Sequence, residues 1–251
     1  MSLEEIDTSH INKSIDRLLK TPSEANHAFG VIRKFFSWTR ERGYIKHSPC
    51  EGMKMPAKRN SRDRYLNDDE LRKVWETANL VGHPYGTLVN LLLLTGQRRS
   101  EIVGLKWSWI DEKEKTLTFP KDFTKTGVIH TIPLTPMMMD IFETIPRLND
   151  HLYPAYGRTK GTFQGFSKCK RRFDDECPID HWTLHDLRRT FATHLASLRV
   201  QPHIIERILN HSSGTISGVA AIYNRFSYQD EIREAMLIWE QKLENFTLVK
   251  V

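Results

Sequence analysis

Two arginines, a lysine, two histidines and a late tyrosine stand in five short settings along this chain. Arg98 falls in Thr95-Gly96-Gln97-Arg98-Arg99-Ser100-Glu101, and Lys125 in Thr124-Lys125-Thr126-Gly127. His185 and Arg188 share His185-Asp186-Leu187-Arg188-Arg189-Thr190. His211 follows in Leu209-Asn210-His211-Ser212-Ser213, and Tyr223 in Ile222-Tyr223-Asn224-Arg225. These residue types suit attack on a phosphodiester. Its non-bridging oxygens are already negative and gain charge in the pentavalent transition state, so fixed cations aimed at them lower the barrier. Arg98 and Arg188 stay protonated and carry forked N–H groups that match phosphate geometry. Lys125 can give a proton to the departing 5′ oxygen, a poor leaving group. His185 can accept the tyrosine proton or hold the phosphate pocket, and His211 can donate to a non-bridging oxygen. The Tyr223 hydroxyl is the candidate nucleophile; a phosphotyrosine ester stores the bond energy, so no metal and no cofactor is expected.

Each residue alone has a plainer reading. A single arginine is usually a surface ion pair and a turn lysine is usually solvated. Lys121 rivals Lys125 in the same hairpin, and Tyr228 lies five positions beyond Tyr223. Arg99 and Arg189 adjoin the candidates, but a helix turns each about 100° away. The neighbouring acids Asp68, Asp69 and Glu70 look like a metal site, yet acids in a first helical turn favour the helix dipole, and three consecutive side chains cannot all face one ion. The order of the five settings, more than any one of them, carries the chemistry.

The elements that would position these groups are mainly helical. Asn26 to Arg42 has a helical apolar pattern through Ala28, Val31, Ile32, Phe35, Phe36 and Trp38, with Gly43 as a stop, and a shorter helix is expected over Ser9 to Leu19. A basic stretch from Met53 to Arg64 has little apolar content; Lys54, Lys58, Arg59 and Arg62 are its candidates for contact with a phosphate backbone. Beyond it, Asn67 or Asp68 can cap a helix reaching about Ala78, and a buried helix is expected over Tyr85 to Leu94. A further helix should begin near Arg99. Trp107–Ile110, Thr116–Phe119 and Ile129–Ile132 read as a small antiparallel sheet, with Lys125 in the second turn. Helix resumes near Pro136, a loop-rich interval covers Asp150 to Trp182, and a last helix over Gln229 to Asn245 presents Ile232, Ala235, Met236, Trp239 and Leu243, expected to pack on its own domain.

At 251 residues the chain suits one catalytic domain with a smaller appendage. Its 37 Lys and Arg against 31 acids give a net charge of +6, which fits a polyanionic partner without requiring one. Cys50, Cys169 and Cys177 are odd in number with no paired spacing, so free thiols in a reducing cytoplasm are expected. No apolar run is long enough to span a bilayer, and no cleavable leader is visible.

The most specific pieces are His185-Asp186-Leu187-Arg188-Arg189-Thr190-Phe191-Ala192 and Thr95-Gly96-x-Arg98-x-x-Glu101 followed by Leu105 and Trp107. With a His and a Tyr behind them, residues from about Leu66 to Arg225 resemble the catalytic domain of tyrosine recombinases of the phage-integrase type, in the form found in prophages and genomic islands. The resemblance implies a mainly α fold with a small antiparallel β-sheet: a catalytic domain over 61–251, preceded over 1–60 by a partial helical core-binding domain with a basic linker. It carries over Arg98, Lys125, His185, Arg188, His211 and Tyr223 as the catalytic set, with Glu101 as a buttress. It implies a 3′-phosphotyrosyl link to double-stranded DNA at attachment sites, and paired exchanges through a Holliday junction on a tetramer. When free, the protein would be a monomer or weak oligomer, and a directionality factor could bias it. The family's core-binding domain is usually longer, which points to a shortened or decayed form. The rival functions are a DNA-binding remnant without recombination and a type IB topoisomerase-like relaxation of supercoils.

Overall fold

The computed structural model describes residues 1–58, 63–155, 157, 161–211 and 226–248, with 247 and 248 described by their backbone alone. The chain divides into two compact units, Met1–Asp63 and Arg64–Val251.

In the first unit a 3-10 turn leads into α1 (Thr8–Asp16) and α2 (Pro22–Glu41). Asp7 caps α1, accepting from the N–H groups of Ser9 at 2.9 Å and His10 at 3.1 Å. Pro22 takes the first position of α2, where its missing N–H costs nothing, so the helix starts four residues before the expected Asn26. The buried stripe also differs from expectation. Ala25, Phe29 and Phe36 face the small core with Ile11 and Ile15, whereas Val31, Phe35 and Trp38 are 56%, 44% and 46% exposed. The two apolar stripes of α2 lie roughly 130° apart round the helix, and this unit covers only one. The Asn26 side chain grips the backbone of Ala57 in both directions, donating to its carbonyl at 3.0 Å and accepting from its N–H at 3.1 Å.

The second unit is built around α4 (Tyr85–Thr95), all eleven of whose residues are buried. Packed on it are α3 (Asp68–Val81), α8 (Leu184–Ser197) and α10 (Gln229–Leu248). Asn67 caps α3 and Glu70 reaches back to the Asn67 N–H at 3.0 Å, so the acids of this turn serve the helix. After α5 (Arg99–Val103) comes a sheet in the order β1 (Ile110–Asp111), β2 (Thr116–Phe119), β3 (His130–Pro133), all antiparallel, with Leu117 opposite Ile132 and Phe119 opposite His130. Helices α6 (Pro136–Thr144), α7 (Phe166–Glu176) and α9 (Pro202–Ile208) are the others among the described residues. The fold is mainly helical with a small antiparallel sheet.

Two expectations are corrected. Trp107–Trp109 is a 3-10 turn and not a strand: the N–H groups of Trp107 and Ser108 bond to Asp150, which draws the segment out of the sheet. The interval expected to be loop contains α7, whose single buried residue, Phe173, left no apolar period to read. Helix α10 packs on its own unit, burying Ile232, Ala235, Met236, Trp239 and Leu243, and the Trp239 indole N–H donates to Leu93 O at 2.9 Å. No described helix is long and apolar enough to cross a membrane.

Candidate active site

The site begins where α4 stops. Gly96 is left-handed at φ +63°, and a Cβ there would lie 2.5 Å from the Phe191 ring and 2.8 Å from Leu209, so both conformation and space require glycine. The chain turns through Gln97 and sets Arg98 in extended backbone at the N-cap of α5. Glu101, 2% exposed, holds it there: Oε2 accepts from the Arg98 N–H and Oε1 from Nη1, both at 2.9 Å. Glu101, expected as a buttress, thus grips both the backbone and the guanidinium of Arg98.

Helix α8 supplies the next pair. Asp186 accepts from the N–H and hydroxyl of Thr183 at 2.8 and 2.9 Å, which fixes the first turn and leaves His185 and Arg188 three residues apart on one face. Arg188 is buried; Nη1 donates to Gly96 O at 2.8 Å and Nη2 to Leu209 O. Burial, and then the Arg98 guanidinium beside it, push its pKa down to about 10, against the opposing pull of Glu101. The neighbours point elsewhere: Arg189 pairs with Asp186 at 2.8 Å, and Arg99 lies 4.8 Å over the ring of Phe166.

Lys125 arrives on the loop between β2 and β3. The Thr124 hydroxyl donates to Val128 O at 2.7 Å and accepts from the Val128 N–H at 3.2 Å, closing the loop. Phe123 anchors it, filling the space where a Cβ on Gly104 would stand and packing 4.8 Å from Trp109. Lys125, Arg98, His185 and Arg188 then line one cleft of about 610 Å³, with Lys170 and Trp182 on its wall. Lys170 pairs with Asp174 and sits 3.9 Å over Trp182.

His211 borders a neighbouring hollow of about 360 Å³ with His130, Glu206 and Asn210. Its imidazole pKa is held below the usual value, first by loss of solvent and then by Arg188 and Arg98. His185 is depressed likewise, by loss of solvent and then by Arg189 and Arg188. Both rings are therefore poised neutral near pH 7, able to accept a proton or to donate a hydrogen bond. Two neighbouring guanidiniums, one of them gripped by a carboxylate, and an ammonium lining the same cleft make a strongly anion-seeking surface.

Tyr223, Arg59 and Arg62 lie outside the described residues. Lys54 and Lys58 are exposed in the first unit, Lys58 beside Arg33 and Lys34 along a hollow of about 910 Å³ on α2. The rival Tyr228 packs 5.2 Å from His203, with the Arg207 guanidinium 4.6 Å over its ring. Among the described residues no three His, Cys, Asp or Glu side chains converge as a metal ion would require. Two residues near the site escaped the sequence reading. Gln97 lies inside a motif but was passed over as a spacer, and His130 reads as one more alternating position of a strand. Only their partners, far away in sequence, single them out.

A sequence-family model described as the phage integrase family matches residues 64–230, about two thirds of the chain. Among curated proteins, the prophage integrase IntF of Escherichia coli K12 is 24% identical over 245 residues, covering 90% of this chain and 50% of its own. The tyrosine recombinase XerD of Listeria innocua is 26% identical over 208 residues, covering 77% and 69%. The chain thus spans half the length of IntF. Among solved structures, a lambda integrase dimer bound to a COC′ core site superposes with a TM-score of 0.67 at 20% identity, over 86% of this chain and 82% of that one. This likeness is one of fold.

Proposed function

The chain belongs to the phage integrase family, and from that premise we propose that it is a site-specific DNA recombinase, cleaving and rejoining DNA through a 3′-phosphotyrosyl intermediate to integrate or excise a mobile element. The observation that carries this reading is the convergence of Arg98, Lys125, His185 and Arg188 from three separate segments on one cleft. Arg98 and Arg188 bind the two non-bridging oxygens of the scissile phosphate and meet the charge that grows there. Tyr223 attacks phosphorus, His185 takes its proton or holds the pocket, Lys125 protonates the departing 5′ oxygen, and His211 donates to a non-bridging oxygen. A 5′-hydroxyl of the partner strand then reverses the ester, a step close to isoenergetic, and no metal or nucleotide takes part.

The first unit, with the basic stretch behind it, acts as a partial core-binding domain, in which Lys54, Lys58, Arg59 and Arg62 contact the DNA backbone. Recombination runs on a tetramer over synapsed attachment sites in the bacterial cytoplasm, biased by a directionality factor, and the free chain is a monomer or weak oligomer. IntF, a prophage integrase, and the DNA-bound and Holliday-junction-bound lambda integrases are the relatives that support these assignments.

The deciding experiment is to incubate the protein with supercoiled plasmid, quench with detergent and look for DNA-linked protein, alongside Tyr223→Phe and Tyr228→Phe. An adduct lost only in Tyr223→Phe is expected. An adduct lost only in Tyr228→Phe would move the nucleophile. DNA binding with no adduct, even on DNA carrying the element's own junctions, would overturn the enzymatic reading.

A further inference from the structure

Helix α9 ends one turn before His211, and the carbonyls of Ile205, Glu206 and Arg207 accept from the backbone N–H groups of Leu209, His211 and Asn210. The next three carbonyls, from Ile208 to Asn210, meet side chains from other parts of the unit instead. Ile208 O receives two donors, Gln97 Nε2 at 2.7 Å and His130 Nε2 at 3.0 Å. Leu209 O receives Arg188 Nη2, and Asn210 O lies 3.5 Å from Arg98 Nη2. Asn210 then turns left-handed at φ +49°, and His211 follows. We propose that His130, with Gln97, is a positioning residue for strand transfer: by clamping the Ile208 carbonyl, the pair fixes where His211 presents its imidazole against Arg98 and Arg188. The inference rests on the recombinase reading for its purpose, but not for its geometry.

His130 is chemically odd for a strand residue that faces the core. It is 8% exposed and stacks on Phe119 at 5.8 Å between centroids and 17° between planes, a place that an apolar ring would fill without loss. Because a carbonyl oxygen only accepts, the proton must sit on Nε2, which fixes the tautomer. Burial lowers the imidazole pKa to about 4, so the ring is neutral and remains a single-donor clamp across the physiological range. The Ile208 carbonyl is also the point where three site-bearing segments meet. Gln97 belongs to the elbow that carries Arg98, His130 to the strand that follows the Lys125 loop, and Ile208 to the helix that leads into His211. His211 lies only three residues beyond the clamped Ile208, at most roughly 10 Å of chain, so a shift at one is felt at the other.

The test reads His211 directly and needs no DNA. Protein labelled with 13C at the histidine Cε1 is titrated by NMR, with the His211 signal assigned from His211→Gln. His130→Phe keeps the ring stack and removes the donor; His130→Gln keeps a donor at nearly the same reach. In His130→Phe the His211 titration is expected to move upward, toward the free-imidazole value, as the ring swings away from Arg98 and Arg188, and in His130→Gln to return to wild type. In the adduct assay the Phe variant should lose about 100-fold in cleavage rate, the scale of a misplacement of about 1 Å, and the Gln variant should recover most of it. An unchanged His211 titration in folded His130→Phe overturns the proposal, as does an equal shift in His130→Gln, which would mean general loosening. Should His130→Phe not fold, Gln97→Leu removes the other donor and is read in the same way. If His211 responds as expected while no variant, nor wild type, forms an adduct, the clamp stands and the recombinase reading falls.

Discussion

At the scale of single residues, Arg188 and Lys125 illustrate two ways in which a cation can serve one cleft. Arg188, the proposed phosphate ligand, is also a structural bolt, because two of its N–H groups close the backbone carbonyls of Gly96 and Leu209. Arg188→Ala strands both carbonyls in a buried place and should cost about 2–5 kcal/mol in stability, measured by urea unfolding, beside loss of cleavage. Lys125 is exposed on its loop and carries no such duty. Lys125→Ala should therefore leave stability within about 0.5 kcal/mol of wild type while slowing cleavage by 100-fold or more, on the order expected for loss of a general acid. The assignment of Lys125 to the leaving group has its own check. A 5′-bridging phosphorothiolate departs as a thiolate and needs no proton, so it should restore cleavage to Lys125→Ala and not to Arg98→Ala. Equal rescue of both variants, or of neither, would remove Lys125 from that role. Lys121, in the same loop, should behave as wild type throughout.

At the scale of elements, the Lys125 loop depends on a contact that lies outside any motif. Phe123 sits where a Cβ on Gly104 would stand, its nearest ring atom 1.9 Å from that position. Gly104→Val must expel the ring, and with it the loop's anchor on Trp109. The expected phenotype is a weaker copy of Lys125→Ala: slower cleavage with the native substrate, near-normal cleavage with the phosphorothiolate. A Gly104→Val protein slowed equally on both substrates would mean that the loop does more than carry the lysine. Helices such as α3 and α4 were legible in the sequence because capping by Asn67 and the run Leu91-Leu92-Leu93-Leu94 are local. The stop at Gly96 was legible for the same reason. Helix α7 was not, since its seven charged residues hide the single anchor Phe173. Nor was the 3-10 turn at Trp107, because the Asp150 that makes it lies more than forty residues away. The site itself divides along the same line. Arg98, His185 and Arg188 stand in motifs, whereas Gln97 and His130 take their meaning from the Ile208 carbonyl, a partner that no spacing reveals.

At the scale of the whole molecule, protons and salt act on different parts. His130 releases its proton far more readily in the folded protein, at about pH 4, than the ordinary imidazole value of 6.5. The unfolded chain therefore binds the proton first, so the stability due to this group is complete above about pH 6.5 and is lost as pH falls toward 4, by about 3 kcal/mol in all. His83, His185 and His211 are depressed in the same direction, while the buried Glu240, whose pKa is raised, works against them at the acid end. His130→Gln, which keeps the clamp, should flatten the fall in unfolding free energy between pH 7 and 5; an unaltered slope would refute the buried neutral imidazole. Salt reports instead on the first unit, which carries 12 Lys and Arg against 8 acids in its 63 residues, and so most of the chain's net charge of +6. Each phosphate neutralised releases condensed counterions, and the logarithm of the affinity falls by about 0.9 per contact for each tenfold rise in salt. Replacing Lys54, Lys58, Arg59 and Arg62 by alanine in the full chain should therefore lower the salt slope for duplex DNA by about 3–4 if all four contact the backbone. It should weaken binding alike for all sequences and leave the rate of adduct formation at saturating DNA unchanged, because none of the four belongs to the unit that holds the cleft. A slope unchanged by the four substitutions would show the basic stretch to be merely solvated, and would leave the DNA contacts of the first unit to Arg33 and Lys34 on α2.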